Sequence, residues 1–174
     1  MSLDNSRLLD FLDEMDKKLE RRIIVVAVGG TAMTLLKAKP STIDVDFTIP
    51  SEYFDDFEKA KRIVQPGFRV DLFRDGAVFV TTLPEDYLEK SKPIKTKLKN
   101  VDLRALQPVD IVITKVVRLD GRDEQDIESC IEKFKLGKDE IRKRAKEIGY
   151  SGNDEVFKEN LQTVLKKFYK LRRG

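Results

Sequence analysis

One run, Ile23-Ile24-Val25-Val26-Ala27-Val28, constrains this chain most. Six apolar residues, most of them β-branched, stand together in a sequence that is 37% charged. Such a strand has no polar face to turn to water, so it predicts the interior of a sheet covered on both sides. Gly29-Gly30 breaks the run, and Thr31–Leu36 reads as a short helix.

The rest of the chain supplies that cover. Leu8, Leu9, Phe11, Leu12, Met15 and Leu19 fall at helical spacing within Leu3–Glu20. Ile43–Ile49 alternates, with Ile43, Val45, Phe47 and Ile49 on one face and Asp44, Asp46 and Thr48 on the other. A helix from Pro50-Ser51 to about Val64 follows, closed by Pro66-Gly67. Phe68–Phe73 alternates again and carries Asp71 on its polar face; Asp75-Gly76 signals a hairpin into Ala77–Thr82. Pro84–Lys90 fits one or two helical turns. Ile94, Thr96 and Leu98 alternate with Lys95, Lys97 and Lys99, as in an edge strand guarded by lysines. From Pro108 the period becomes helical, over Pro108–Leu119, Arg122–Phe134, Lys138–Ile148 and Asp154–Leu171. The expected fold is α/β (α+β): a small mixed β-sheet flanked by helices, with a helical C-terminal third.

Composition narrows the chemistry. The 174 residues include no His and one Cys. That excludes Ser-His-Asp and Cys-His catalysis, imidazole metal ligands, an intramolecular disulfide and Cys-based zinc. Carboxylates, Lys, Arg, hydroxyls and backbone N–H groups remain, and a catalytic metal would take oxygen ligands. Cys130 reads as a buried thiol in a reducing cytoplasm. No stretch approaches a membrane span, and the acidic, amphipathic N-terminus does not read as a signal peptide. Abundant Lys and Glu with four Asn and four Gln match a thermophile's usage. Residues 133–174 carry 13 Lys and Arg against 6 Asp and Glu, which leaves the front of the chain net acidic. This basic end is either a nucleic-acid footprint or a solvated helix surface.

Two segments carry the candidate chemistry. A buried strand that ends in Gly29-Gly30 and opens into a helix leaves backbone N–H groups free for a phosphate, although a Gly-Gly turn alone is more often only a turn. Asp44 and Asp46, two apart on a strand, put like charges on one face, which a divalent cation would repay and simple exposure to water would also permit. Adjacent strands would bring the glycines beside the carboxylates, and Asp71 adds a third acid from another strand. Three acids beside a phosphate-binding turn suit two-metal phosphoryl or nucleotidyl transfer.

The order of hydrophobic strand, Gly-Gly, short helix and D-x-D strand resembles the polymerase-beta-like nucleotidyltransferase superfamily. Val28-Gly29-Gly30-Thr31-Ala32 with Thr42-x-Asp44-x-Asp46, then Ile113-Thr114-Lys115 and Arg122-Asp123-Glu124-Gln125-Asp126, is most similar to its AbiEii-type branch, which includes toxins of toxin–antitoxin systems. The resemblance covers about Ile23 to Ile131. It implies a minimal nucleotidyltransferase core over residues 1–120, with a helical region over 121–174 packed on it. It implies that Gly29, Gly30, Thr31 and Thr42 bind the NTP, and that Asp44, Asp46 and Asp71 hold Mg²⁺ or Mn²⁺. Lys115 would contact phosphate and Asp126 would complete the site. Possible partners are an RNA or tRNA acceptor on the basic C-terminal helices and an antitoxin. Read without it, Lys115 fits a solvent-facing helix residue, and Arg122, Asp123 and Asp126 fit helix-end charges with an Arg122–Asp126 pair. A catalytically inactive member of the same fold, or an RNA-binding module using Lys166, Lys167, Lys170, Arg172 and Arg173, is the alternative function.

Overall fold

The structure, a computed structural model, describes residues 2–170. In chain order the elements are β1 (Leu3–Asp4), α1 (Asn5–Lys18), β2 (Ile23–Ala27), α2 (Gly29–Leu35), β3 (Ser41–Thr42), β4 (Val45–Ile49) and α3 (Ser51–Val64). Then come β5 (Val70–Arg74), β6 (Ala77–Val78), β7 (Thr81–Thr82), α4 (Tyr87–Lys90), β8 (Lys92–Pro93) and β9 (Val101–Ala105). The C-terminal part holds α5 (Pro108–Val116), α6 (Gly121–Phe134), α7 (Lys138–Glu147), β10 (Gly149–Tyr150) and α8 (Asp154–Phe168).

A mixed sheet in the order β5-β4-β2-β9-β8 organises the molecule. β2 runs parallel to β9 and antiparallel to β4, which runs parallel to β5. The apolar run is the third of these five strands, as its lack of a polar face requires. β4 is buried at all five positions, Asp46 and Thr48 included. α1 packs on α3, which also reaches β2, while α2 touches β2 and β4. α5 is buried at every residue, and α2, α6, α7 and α8 all pack on it. A helix apolar nearly all round belongs in such a place.

The structure corrects four expectations. First, the strand begins at Val45, not Ile43, and Ile43 is exposed. The Thr31 and Thr42 hydroxyls both donate to the Asp44 carbonyl, at 3.0 and 2.7 Å, and hold the chain in a bend before the ladder starts. Second, Ile94–Leu98 forms no ladder; its apolar residues are half-buried and its lysines exposed. The pairing falls instead on β8 and on β9, a strand the sequence pattern did not mark. Third, Ala77–Thr82 splits into β6 and β7 around a turn at Phe79-Val80. Together with β10 these make a separate three-stranded sheet. Fourth, Arg122 and Asp126 do not pair; Asp126 binds lysines instead. The Asp75-Gly76 turn is present, with both residues in the left-handed region (φ 50° and 78°). Leu171, Arg172 and Arg173 lie outside the described residues.

Candidate active site

β2 and β4 meet side by side, with Ala27 opposite Phe47, and the Val28 N–H donates to the Asp46 carbonyl at 3.1 Å. This pairing carries Gly29 and Gly30 to the start of β4. Gly29 has φ +53°, which favours glycine, and a side chain there would stand beside the Asp46 carboxylate. A Cβ on Gly30 would come within 2.7 Å of the Thr42 hydroxyl. No side chain caps the start of α2.

Thr31 is fully buried. Its hydroxyl donates to the Asp44 carbonyl and accepts the Asp46 N–H, both at 3.0 Å. It therefore shapes the segment that carries both acids and does not line the cavity beside them. Asp44 is exposed, and Asp46 keeps 4% of its surface. Asp71 stands directly opposite Asp46 in the parallel β4–β5 pair, so both side chains leave the sheet on one face. Arg69 reaches Asp71 at 2.8 Å.

The electrostatics centre on Asp46. Burial, then the negative charges of Asp71 and Asp44, push its pKa up to about 7, against the opposing charge of Lys115. Its Oδ1 is buried and has no hydrogen-bond partner among the described residues. That is an expensive state for a carboxylate.

α5 and α6 build the facing wall. Lys115 is 7% exposed, so it is no solvent-facing residue; its ammonium binds Asp126 at 2.9 Å and approaches Asp123 at 3.6 Å. Lys39, from the loop after α2, reaches the same Asp126 oxygen at 3.2 Å. Arg118 grips Asp123 with two bonds of 2.7 and 2.8 Å, and Asp123 also closes a capping box with Asp120 at the start of α6. Burial works to raise the Asp123 pKa, but Arg118, Lys115 and the Asp120 backbone N–H, which donates to the Asp123 carboxylate, hold it below the ordinary carboxylate value. Cys130 is buried, and burial pushes its thiol up to about 12.

Between the two walls lies a cavity of about 410 Å³. Gly29, Gly30, Thr42, Asp44, Asp46, Lys115 and Asp126 line it, while Asp71 and Thr31 do not. Lys39, Arg118 and the exposed pair Phe79-Val80 were not anticipated. Lys39 carries no local signal, since its partner is 87 residues away. Arg118 was findable, because it sits three residues after Lys115 on a helical period.

Residues 6–171 match the family of nucleotidyltransferases of unknown function (DUF6036). The chain belongs to this family. Comparison with curated proteins gives no match, and neither does comparison with solved structures. Among the described residues no helix is long and apolar enough to cross a membrane.

A divalent cation is the group this nucleotidyltransferase chemistry implies. Among the described residues, no group of three or more His, Cys, Asp or Glu side chains is arranged as a metal cage. Mg²⁺ seldom requires one, since it takes one or two carboxylates and completes its shell with water and substrate phosphates. The donorless Asp46 Oδ1, with Asp71 beside it, offers hard oxygens that suit such an ion.

Proposed function

We propose that this nucleotidyltransferase moves a nucleoside monophosphate from an NTP to a hydroxyl acceptor and releases pyrophosphate. The observation that carries the proposal is Asp46. A buried carboxylate with a donorless oxygen, facing a second carboxylate across one sheet ladder, opens onto a cavity whose far wall holds a buried lysine.

Asp44, Asp46 and Asp71 would hold Mg²⁺ or Mn²⁺. When bound, the ion neutralises phosphate charge and polarises the α-phosphoryl group. The protein's own part is positioning. Lys115, fixed by Asp126 and Asp123, presents a positive charge to the triphosphate from a site where water screens it little. Gly29 and Gly30 let phosphate oxygens approach the backbone. Thr31 and Thr42 keep the Asp44–Asp46 segment in one conformation. The acceptor oxygen bonds to the α-phosphorus as the bond to pyrophosphate breaks, and Asp71 would take the acceptor's proton. RNA is the acceptor that exposed Lys166 and Lys170 favour; Lys167 is engaged by Glu124 at 2.7 Å. The narrower likeness to the AbiEii-type branch rests on the sequence segments alone.

The test is incubation with NTPs radiolabelled at the α-phosphate, with Mg²⁺ or Mn²⁺, against tRNA, protein and small-molecule acceptors. Label is expected on an acceptor with wild type and not with Asp46→Asn or Asp44→Ala. A wild-type chain that binds no NTP in the presence of either metal, by calorimetry, overturns the proposal.

A further inference from the structure

The cavity has an apolar side that the phosphate chemistry does not use. Of the large hydrophobic residues exposed on the surface, Ile43, Phe79 and Val80 all line it, and Val117 joins them. Phe79 is 52% exposed. It also holds φ +54°, a conformation that is costly for a bulky residue. A solvent-facing aromatic recovers little of that cost, so something else keeps it there.

The turn that carries Phe79 is tightly held. Val78 pairs with Thr81 across β6–β7, and the Thr81 hydroxyl donates to the Val78 carbonyl at 2.6 Å. β10 pairs with β7 from the far side, and both the N–H and the hydroxyl of Ser151 donate to the Val80 carbonyl at 3.0 Å. The Phe79 ring meets the edge of Phe73 at 5.0 Å between centroids, and the Arg118 guanidinium lies 5.8 Å from its centre. An aromatic plate is thus fixed in the lining of the cavity that the acids also line.

We propose that Phe79 is the platform on which the base of the nucleoside triphosphate stacks, with Ile43 and Val80 closing around it. The inference rests on the nucleotidyl-transfer reading and adds its base subsite. Three hydrogen-bonding side chains of the cavity are already engaged. Arg118 is bound to Asp123, the Thr114 hydroxyl to the Ile111 carbonyl and the Thr42 hydroxyl to the Asp44 carbonyl. Recognition is therefore by stacking area rather than by base edges, which tolerates all four bases and ranks purines above pyrimidines.

The experiment is calorimetric titration of the full chain with ATP, GTP, CTP, UTP and the baseless probe inorganic tripolyphosphate, each with Mn²⁺. Phe79→Ala is expected to weaken ATP binding about tenfold or more, the size of one lost base–aromatic stack. It should leave tripolyphosphate binding unchanged and bring the four NTPs close together. Phe79→Trp should retain or tighten ATP binding, which guards against a mere folding defect. Unchanged ATP affinity in Phe79→Ala, or equal loss of ATP and tripolyphosphate, overturns the base platform and leaves nucleotidyl transfer standing. A wild-type chain that binds neither ATP nor tripolyphosphate removes both.

Discussion

Asp46 on β4 and Asp71 on β5 face each other directly in a parallel ladder, and the buried Oδ1 of Asp46 has no donor. Burial penalises the charged form most, and repulsion from Asp71 and Asp44 adds to the cost, so the Asp46 pKa rises to about 7 in the folded chain. The unfolded chain releases that proton near pH 4. Between those values the folded state binds more protons, so stability is fully present below the unfolded pKa and falls as pH rises through the folded one. The loss is on the order of 4 kcal/mol at most. Asp46→Asn should therefore melt higher than wild type at pH 8 and differ little from it at pH 4. Adding Mg²⁺ at pH 8 should raise the melting temperature of wild type and not of Asp46→Asn. Thermal unfolding by circular dichroism at the two pH values reads both effects.

Lys115 shares Asp126 with Lys39 and Asp123 with Arg118. Breaking a buried ion pair usually costs about 3–5 kcal/mol, because an uncompensated charge stays behind. Here each acid keeps a second cation, so Lys115→Met should cost about 1–3 kcal/mol in urea unfolding. Removing Lys39 as well leaves Asp126 with neither lysine. The double variant should lose more than the sum of the single losses, by about 1 kcal/mol. Strict additivity would mean that the two lysines do not share Asp126.

Those sites were unequally legible. Asp46 and Asp71 could be read because short strands alternate, and the alternation puts their carboxylates on one face, while Asp44 lies in the bend before the strand. The buried run at Ile23 and the Pro-started α5 were equally plain. β9 was not, because Asp102 and Arg104 interrupt it and the regular lysine pattern just before it imitates a strand better. In the structure those two charges satisfy each other at 3.1 Å, while Val101, Leu103 and Ala105 are buried. Ile43 was misplaced for the opposite reason. It fits the alternation, but the hydroxyls of its neighbour Thr42 and of Thr31 on α2 hold the backbone out of the ladder. Lys39 and Phe79 owe their positions to tertiary packing, which no local period records.

Arg144 on α7 clamps Asp110 on α5 with bonds of 2.7 and 3.1 Å, and also binds Asp86 and Glu147. Asp110 is fully buried. Arg144→Met should cost about 3–5 kcal/mol, and Arg144→Lys should recover only part of that, because one ammonium cannot replace a planar fork. Arg144 does not line the site cavity, so the NTP affinity of the folded fraction should not change. Urea unfolding and calorimetry on the same preparations separate the two effects.

Gly30 tests whether the glycine pair serves the acids as well as the phosphates. A methyl group there would sit 2.7 Å from the Thr42 hydroxyl and 3.5 Å from its Cβ. The first distance is a collision and the second an ordinary contact. Gly30→Ala must therefore move Thr42, whose hydroxyl holds the Asp44 carbonyl at 2.7 Å. The expected cost is about 1–3 kcal/mol, the range for forcing an extra methyl into a packed site. Metal-dependent NTP binding should weaken at the same time, because Asp44 loses one of its two anchors. Thr42→Ala removes the colliding oxygen, so it should restore much of the stability when combined with Gly30→Ala. It should not restore NTP binding, because the anchor on Asp44 is still missing. If the double variant regains both, Thr42 does not position Asp44, and Gly30 matters only for room.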